Sequence, residues 1–455
     1  MHPGCYHSAD GERNVSNSSA SEAATDGDGD FRMTPLERNA SIWLALLYGS
    51  RMLGMFLILP VFAVHAAGMP GGGNAALVGL AFGVYGLSQA LFQIPFGAAS
   101  DRFGRRPIIT AGLLLMLAGS VVAATADTLT GLTVGRALQG AGAVSAAISA
   151  LLADTTRDSQ RTKAMAMVGA MIGLSFAFSL VAAPLLYQAV GLSGIFILTA
   201  LLAAAGIAIV WCMIPMPARP AEAAARTPGA KGTVADDPAG SGYPAARGST
   251  GAAAERRALR SFLDADIMRL NFGIFVLHLT QMTLFVVVPS RLVHLVGLPL
   301  SEHWKIYLPV VVASFAVMMP PLNWAERVGR VRGLFLLAIG GQLVSQIGFA
   351  FVPPGLGSMS VFLLVFFISF NMLEALMPSL LSRLAPSGAR GTVMGIFSTT
   401  QALGIFAGGA LGGLLAHHLG DTSVFLASAI LIAAWAVVAR GARRWPGRYG
   451  LRSRA

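Results

Sequence analysis

Glu374 stands as a lone carboxylate inside a long apolar run, Ile-Ser-Phe-Asn371-Met-Leu-Glu374-Ala-Leu-Met-Pro378. Asn371, Glu374 and Pro378 recur at i, i+3 and i+7, so a helix would place them on one face. A carboxyl group held away from water can take up and release a proton, which makes Glu374 the candidate for proton coupling. The bland alternative is a structural carboxyl, hydrogen-bonded or paired with an arginine. Arg51, in Tyr48-Gly-Ser-Arg51-Met-Leu-Gly54, is suited either to an anionic group on a solute or to a membrane acid. His278 belongs to the residue type that titrates near neutral pH, but no partner is visible beside it, so it reads as a packing histidine. Tyr85, Gln89 and Gln93 recur every four residues, and His278, Gln281 and Phe285 share another helical face. With Asn371 and Gln401 these groups suit an adaptable, mostly apolar cavity for a small molecule. Ordinary helix–helix hydrogen bonding accounts for any one of them taken singly.

Other chemistry finds little support. There is no HExxH, no GxSxG and no P-loop, so metal-assisted hydrolysis, acyl transfer and direct ATP drive have no anchor. Cys5 and Cys212 have no redox or metal spacing, and His417 and His418 project about 100° apart on a helix. Asp26, Asp28, Asp30 and Glu37 imitate part of a calcium loop, but Phe31 stands where the sharp turn needs glycine. No metal and no cofactor is expected.

The elements that must position these residues are legible from composition. Hydrophobic residues make up 55% of the chain and charged residues 12%, against a soluble norm of about 25% charged. Apolar runs near 41–66, 75–97, 107–125, 130–153, 163–187 and 191–214 form one set. Runs near 267–290, 304–323, 333–352, 358–381, 390–417 and 422–440 form a second. Each is long enough to cross a hydrocarbon core of about 30 Å. The expected fold is therefore all-α and polytopic, with twelve transmembrane helices in two six-helix pseudo-symmetric bundles. Its parts are a disordered N-tail (1–40), an N-terminal bundle (41–214), a linker (215–262), a C-terminal bundle (263–440) and a basic C-tail (441–455).

The net charge of +11 would suit nucleic acid in a soluble chain, but here the cations follow topology. Only Arg291 and Lys305 fall between spans on the side opposite the termini, and Arg51, Arg136 and Arg269 lie within or at the edge of helices. The rest of the 32 Lys and Arg sit on the side of the two tails and the linker. That asymmetry places both termini in the cytoplasm, with anionic lipids as partners and no nucleic acid.

Two loops repeat. Pro95 begins a stretch ending Asp101-Arg102-Phe103-Gly104-Arg105-Arg106, and Pro320 begins one ending Glu326-Arg327-Val328-Gly329-Arg330, each between the second and third helix of its half. The repeat implies an internal duplication with a solute site between the halves. The segment Gly97-Ala-Ala-Ser100-Asp101-Arg102-Phe103-Gly104-Arg105-Arg106-Pro resembles the signature loop of the major facilitator superfamily, with Ser100 in place of a small apolar residue. The helix 4 segment Arg136-Ala-Leu-Gln139-Gly140-Ala-Gly142 resembles the family's second motif. Gly97 would permit close helix approach and Gly104 a tight turn. The resemblance implies a gating latch: Asp101 against the start of helix 11 in the outward-open state, and a loop arginine, Arg105, paired with Asp154 at the end of helix 4.

The resemblance further implies a solute carrier driven by a proton gradient, expected as a monomer in a bacterial inner membrane. In helix 5 the family's efflux members carry a Gly-Pro-rich motif. The corresponding positions here are Ala170, Ser179, Ala183 and Pro184, followed by Tyr187 and Gln188. The segments 48–62 and 368–400 look most like a bacterial branch of drug–proton antiporters. The leading expectation is proton-coupled efflux of an amphipathic compound or drug. A proton-coupled symporter importing a sugar or metabolite is the alternative, and a polytopic membrane enzyme is a third reading.

Overall fold

The computed structural model describes residues 33–142, 144–214, 264–385 and 390–442. The linker and the outer parts of both tails lie outside the described residues, as do Asp26, Asp28 and Asp30. Among the described residues, eleven helices are long and apolar enough to cross a membrane. One of them, Asp158–Cys212, has 55 residues and contains Gly191 at φ 67°, ψ −175°. At about 1.5 Å per residue it would span more than twice a hydrocarbon core. The left-handed glycine divides it into two, so the described residues hold twelve spans.

Span 1 comprises Pro35–Phe56 and Leu59–Ala67, and span 2 is Ala75–Phe103. Span 3 is Arg105–Ala124, span 4 comprises Leu129–Ala141 and Ser145–Thr155, and spans 5 and 6 flank Gly191. Spans 7 to 12 are Ala265–His294, Trp304–Val328, Val331–Phe351, Leu356–Leu384, Arg390–Leu419 and Asp421–Arg440.

The bounds differ from the sequence reading where side chains extend or interrupt a helix. Span 1 starts at Pro35 rather than near 41, because Thr34 and Glu37 form a capping box. Glu37 also accepts from the backbone N–H and guanidinium of Arg157, so its carboxylate fastens span 1 to the start of span 5. Pro60, at the second position of the next segment, follows the break at Leu57–Ile58. Span 2 runs to Phe103, not 97, and Gly104 at φ 97° makes the whole turn into span 3. Arg291, expected in a loop, lies in the last turn of span 7; it pairs with Asp421, donates to the Phe349 carbonyl and covers the Phe425 ring.

The two six-span sets meet most tightly on the face opposite the termini. Spans 2 and 11 approach there backbone to backbone. A methyl added at Gly83 would stand 2.6 Å from the Phe406 carbonyl oxygen, and one at Gly413 2.7 Å from the Gly79 Cα. Nearer the terminus-side face the seam loosens, and a methyl at Gly395 would meet nothing within 4 Å. Aromatic packing also joins the sets: Phe176 on span 5 packs on Phe367 and Phe370 of span 10, each at 5.8 Å between ring centroids.

Candidate solute and gating sites

At mid-membrane the second set carries a polar cluster drawn from three spans. His278 on span 7 donates from Nδ1 to the Ile274 carbonyl one turn earlier, at 3.2 Å. That bond assigns the neutral ring's lone pair to Nε2, which accepts from the Gln401 amide of span 11 at 2.7 Å. Glu374 of span 10 places Oε2 3.7 Å from the same Nε2. Its side chain is 31% exposed, yet Oε2 itself is buried and has no hydrogen-bond partner. The imidazole edge also packs on Phe370, one turn before Glu374. The expectation that His278 is a solitary packing residue is therefore corrected. Its partners arrive from helices 96 and 123 positions away, which no local pattern reveals. Asn371 turns instead to Ser314 of span 8 at 3.2 Å, and Gln281 is buried on span 7 without a hydrogen bond to this cluster.

The first set carries a different cluster. Arg51 is 2% exposed and donates to the Ser145 hydroxyl at 2.8 Å and the Tyr85 hydroxyl at 3.2 Å. Arg136 is 1% exposed, lies 4.6 Å from the Tyr85 ring centroid and donates to Gln139, which in turn donates to Ser120. Among the described residues no carboxylate lies within 4 Å of either guanidinium, and both Nε atoms are buried without a partner. Gly140 holds this group together, because any side chain there would run into the Tyr85 backbone. Gln89 and Gln93 are buried on the same span 2 face with their amide oxygens unpartnered, and they do not join Arg51. Tyr85 and its span 2 neighbours thus face helix packing in this conformation rather than open water.

The two clusters lie at one depth. Gly86, adjacent to Tyr85, packs against span 11 at Ala402 and Phe406, and Ala402 is adjacent to Gln401.

The 97–106 loop forms a third site. Arg105 donates from Nε to Asp154 at 2.9 Å, pairs closely with Asp101, and donates to the Ser100 hydroxyl at 2.7 Å. Ser100, 2% exposed, donates its hydroxyl to the Gly97 carbonyl, so the one departure from the family pattern has become a bonding group. Asp101 is engaged with Arg105 rather than with span 11. Gly97 is not a point of close approach here, since a methyl would sit 3.5 Å from Ala146, an ordinary contact. Arg102 covers its neighbour Phe103, while Arg106 donates to the Ile214 carbonyl and lies over Trp211 at the end of span 6.

Twelve spans in two sets, a motif loop between spans 2 and 3 and a buried polar centre are matched by a family model. The Major Facilitator Superfamily model covers residues 44–409 and 270–448. The chain belongs to the major facilitator superfamily. It is a multi-pass membrane transporter and not an enzyme. It is 39% identical over 411 residues to the inner membrane transport protein YajR of Escherichia coli K12, spanning 90% of this chain and 84% of that one. It is 32% identical over 376 residues to an uncharacterized transporter of Buchnera aphidicola from Acyrthosiphon pisum, covering 83% of this chain and 90% of the relative. A multidrug resistance protein, MdtH of Yersinia enterocolitica, matches over only 91 residues, at 38% identity, 20% of this chain and 22% of that protein. Among solved structures, a D-xylose–proton symporter superposes with a TM-score of 0.66 at 14% identity, over 89% of this chain and 98% of that one. At that identity the likeness concerns the fold alone.

Proposed function

We propose that this superfamily transporter is a proton-driven exporter of an amphipathic compound, working by alternating access from the inner membrane. The observation that carries the reading is the placement of Glu374: a half-reachable carboxyl with a buried, unpartnered oxygen, next to an imidazole, at the depth of the inter-bundle seam. Exchange follows when a polar or cationic group on the solute competes with the proton for that carboxyl. The cation asymmetry of the loops supports a cytoplasmic terminus side, which makes the tightly sealed face external and the conformation inward-facing. The Arg105–Asp101–Asp154 network is the proposed inner latch, with Asp101 free to turn to the start of span 11 when the transporter opens outward. Phe176, Phe367 and Phe370 supply the apolar wall between the halves. The terminus-side arginines suit anionic lipid headgroups, and a monomer contains every group the cycle requires.

The test is flux in reconstituted vesicles with an imposed pH gradient, using a panel of labelled amphipathic amines and amino acids. The native protein should drive at least one of them against its gradient, and Glu374→Gln should abolish that flux while the protein stays monodisperse. Undiminished pH-driven flux in the variant would remove Glu374 from the mechanism. Movement of solute and proton in the same direction would favour the symport reading.

A further inference from the structure

Span 4 is not one helix. Its first piece ends at Ala141 and its second begins at Ser145, near the middle of the span. The new helix starts without a side-chain cap. First-turn N–H groups of a helix have no intrahelical acceptor and carry the positive end of its dipole, so at membrane depth they call for an anion or an oxygen acceptor. Half-helix N-termini inside transporters are well suited to anionic groups for this reason. The second observation is Arg51. Its guanidinium, 2% exposed, is aimed at this terminus through the Ser145 hydroxyl, and its Nε is buried with no partner. Its other terminal nitrogen holds only the Tyr85 hydroxyl, and the same tyrosine ring lies beneath Arg136. Arg51 and the helix N-terminus thus meet at neutral hydroxyls, with a second buried cation, Arg136, over the face of the same tyrosine.

Elsewhere the chain treats buried charge differently. Buried Arg291 pairs with Asp421, buried Asp266 with Arg269, and buried Glu37 with Arg157. Leaving a buried charge uncompensated is strongly destabilising. A hydroxyl accepts from the guanidinium but brings no charge to offset it, whereas a carboxylate adds coulombic attraction and can take two parallel N–H bonds, so it would displace the hydroxyl.

We propose that the break in span 4 is a binding site for an oxyanion on the transported solute, formed by Arg51, the Ser145 hydroxyl with the first turn it opens, and Tyr85. The assignment rests on the exporter reading and sharpens its substrate class. An anion held here favours protonation of Glu374, by charge repulsion across the seam, and by itself would promote co-transport. Proton exchange therefore requires a second, cationic group on the same solute that displaces the proton at Glu374. The substrate class is a zwitterionic amphiphile: carboxylate toward the first bundle, ammonium toward the second, and an apolar body against Phe56, Phe176 and Phe370. Phe56, one and a half turns from Arg51, meets Phe176 edge-on at 5.0 Å, so the aromatic wall is continuous between the two sites.

The test is equilibrium binding to the full-length protein in detergent, which needs no proton gradient and is independent of the exporter reading. The probe is ε-dansyl-lysine, an amphipathic fluorescent amino acid, compared with its methyl ester, which lacks the anion. The free acid should bind at least about tenfold more tightly, the scale of one charged hydrogen bond. Arg51→Gln should erase that preference and Arg51→Lys should keep part of it. Should Arg51→Gln fail to fold, Ser145→Asp probes the same site: a resident carboxylate should raise the melting temperature and remove the preference for the acid. Equal binding of ester and acid, no binding of either, a preference that survives Arg51→Gln, or a lower melting temperature with the preference intact in Ser145→Asp would each overturn the proposal. Loss of pH-driven flux with the acid preference intact would instead count against the exporter reading alone.

Discussion

In the first six spans the buried mid-membrane charge is cationic and, among the described residues, lacks an acid, with Arg51 and Arg136 resting on one tyrosine. In the second six it is one carboxyl, Glu374, beside an imidazole that Gln401 orients. The halves share a duplicated loop and a helix count, yet their centres are electrostatic opposites. Duplication accounts for the shared architecture, and in the proposed cycle the difference between the copies supplies the polarity: one side to hold an anion, the other to exchange a proton. The two centres adjoin across the seam, where Gly86 next to Tyr85 packs on Ala402 next to Gln401.

Forcing the halves apart should have the largest effect. Gly83→Val places a side chain where a methyl already lies 2.6 Å from a backbone oxygen. Overpacking of this kind costs about 1–3 kcal/mol, so the sealed conformation should become rarer by roughly five- to 150-fold. Solute turnover in vesicles should fall accordingly while binding in detergent changes little. Normal turnover would mean that the seam does not close during the cycle. A smaller loss is expected from His278→Asn, which keeps a hydrogen-bonding group near Gln401 but cannot carry the proton. Its pH-driven flux should drop by about tenfold, or ~1.4 kcal/mol, with solute binding at fixed pH retained. Equal losses of binding and flux would make His278 a scaffold for Glu374 rather than a partner in proton movement.

Much of this architecture is written locally, which is why the sequence discloses it. Twenty-residue apolar runs read as spans and Gly104 as a tight turn beside its arginines, whereas the pairing of Arg105 with Asp154, 49 positions away, is implied by the family resemblance and by no local pattern. The centres were less legible because they depend on which helical faces meet. His278 looks solitary until spans 10 and 11 bring Glu374 and Gln401 to it. The break in span 4 falls in a stretch of small apolar residues, where nothing in hydropathy marks the end of a helix. Arg51 is visible as a charge in a membrane, but the absence of an acid near it is a fact of packing. Glu37 shows the converse: its acidic neighbours suggest a cation, while its carboxylate is taken up by Thr34 and Arg157.

The division of labour between the halves is tested most directly by the protons that move on binding. ε-Dansyl-lysine can be titrated into the detergent-solubilised protein in weakly buffered solution, with pH recorded for the native chain, Arg51→Gln and Glu374→Gln. The native protein should release protons as it binds. Arg51→Gln should bind more weakly with the same release per molecule bound, and Glu374→Gln should bind with none. Proton uptake by the native protein, or undiminished release from Glu374→Gln, would contradict exchange at Glu374.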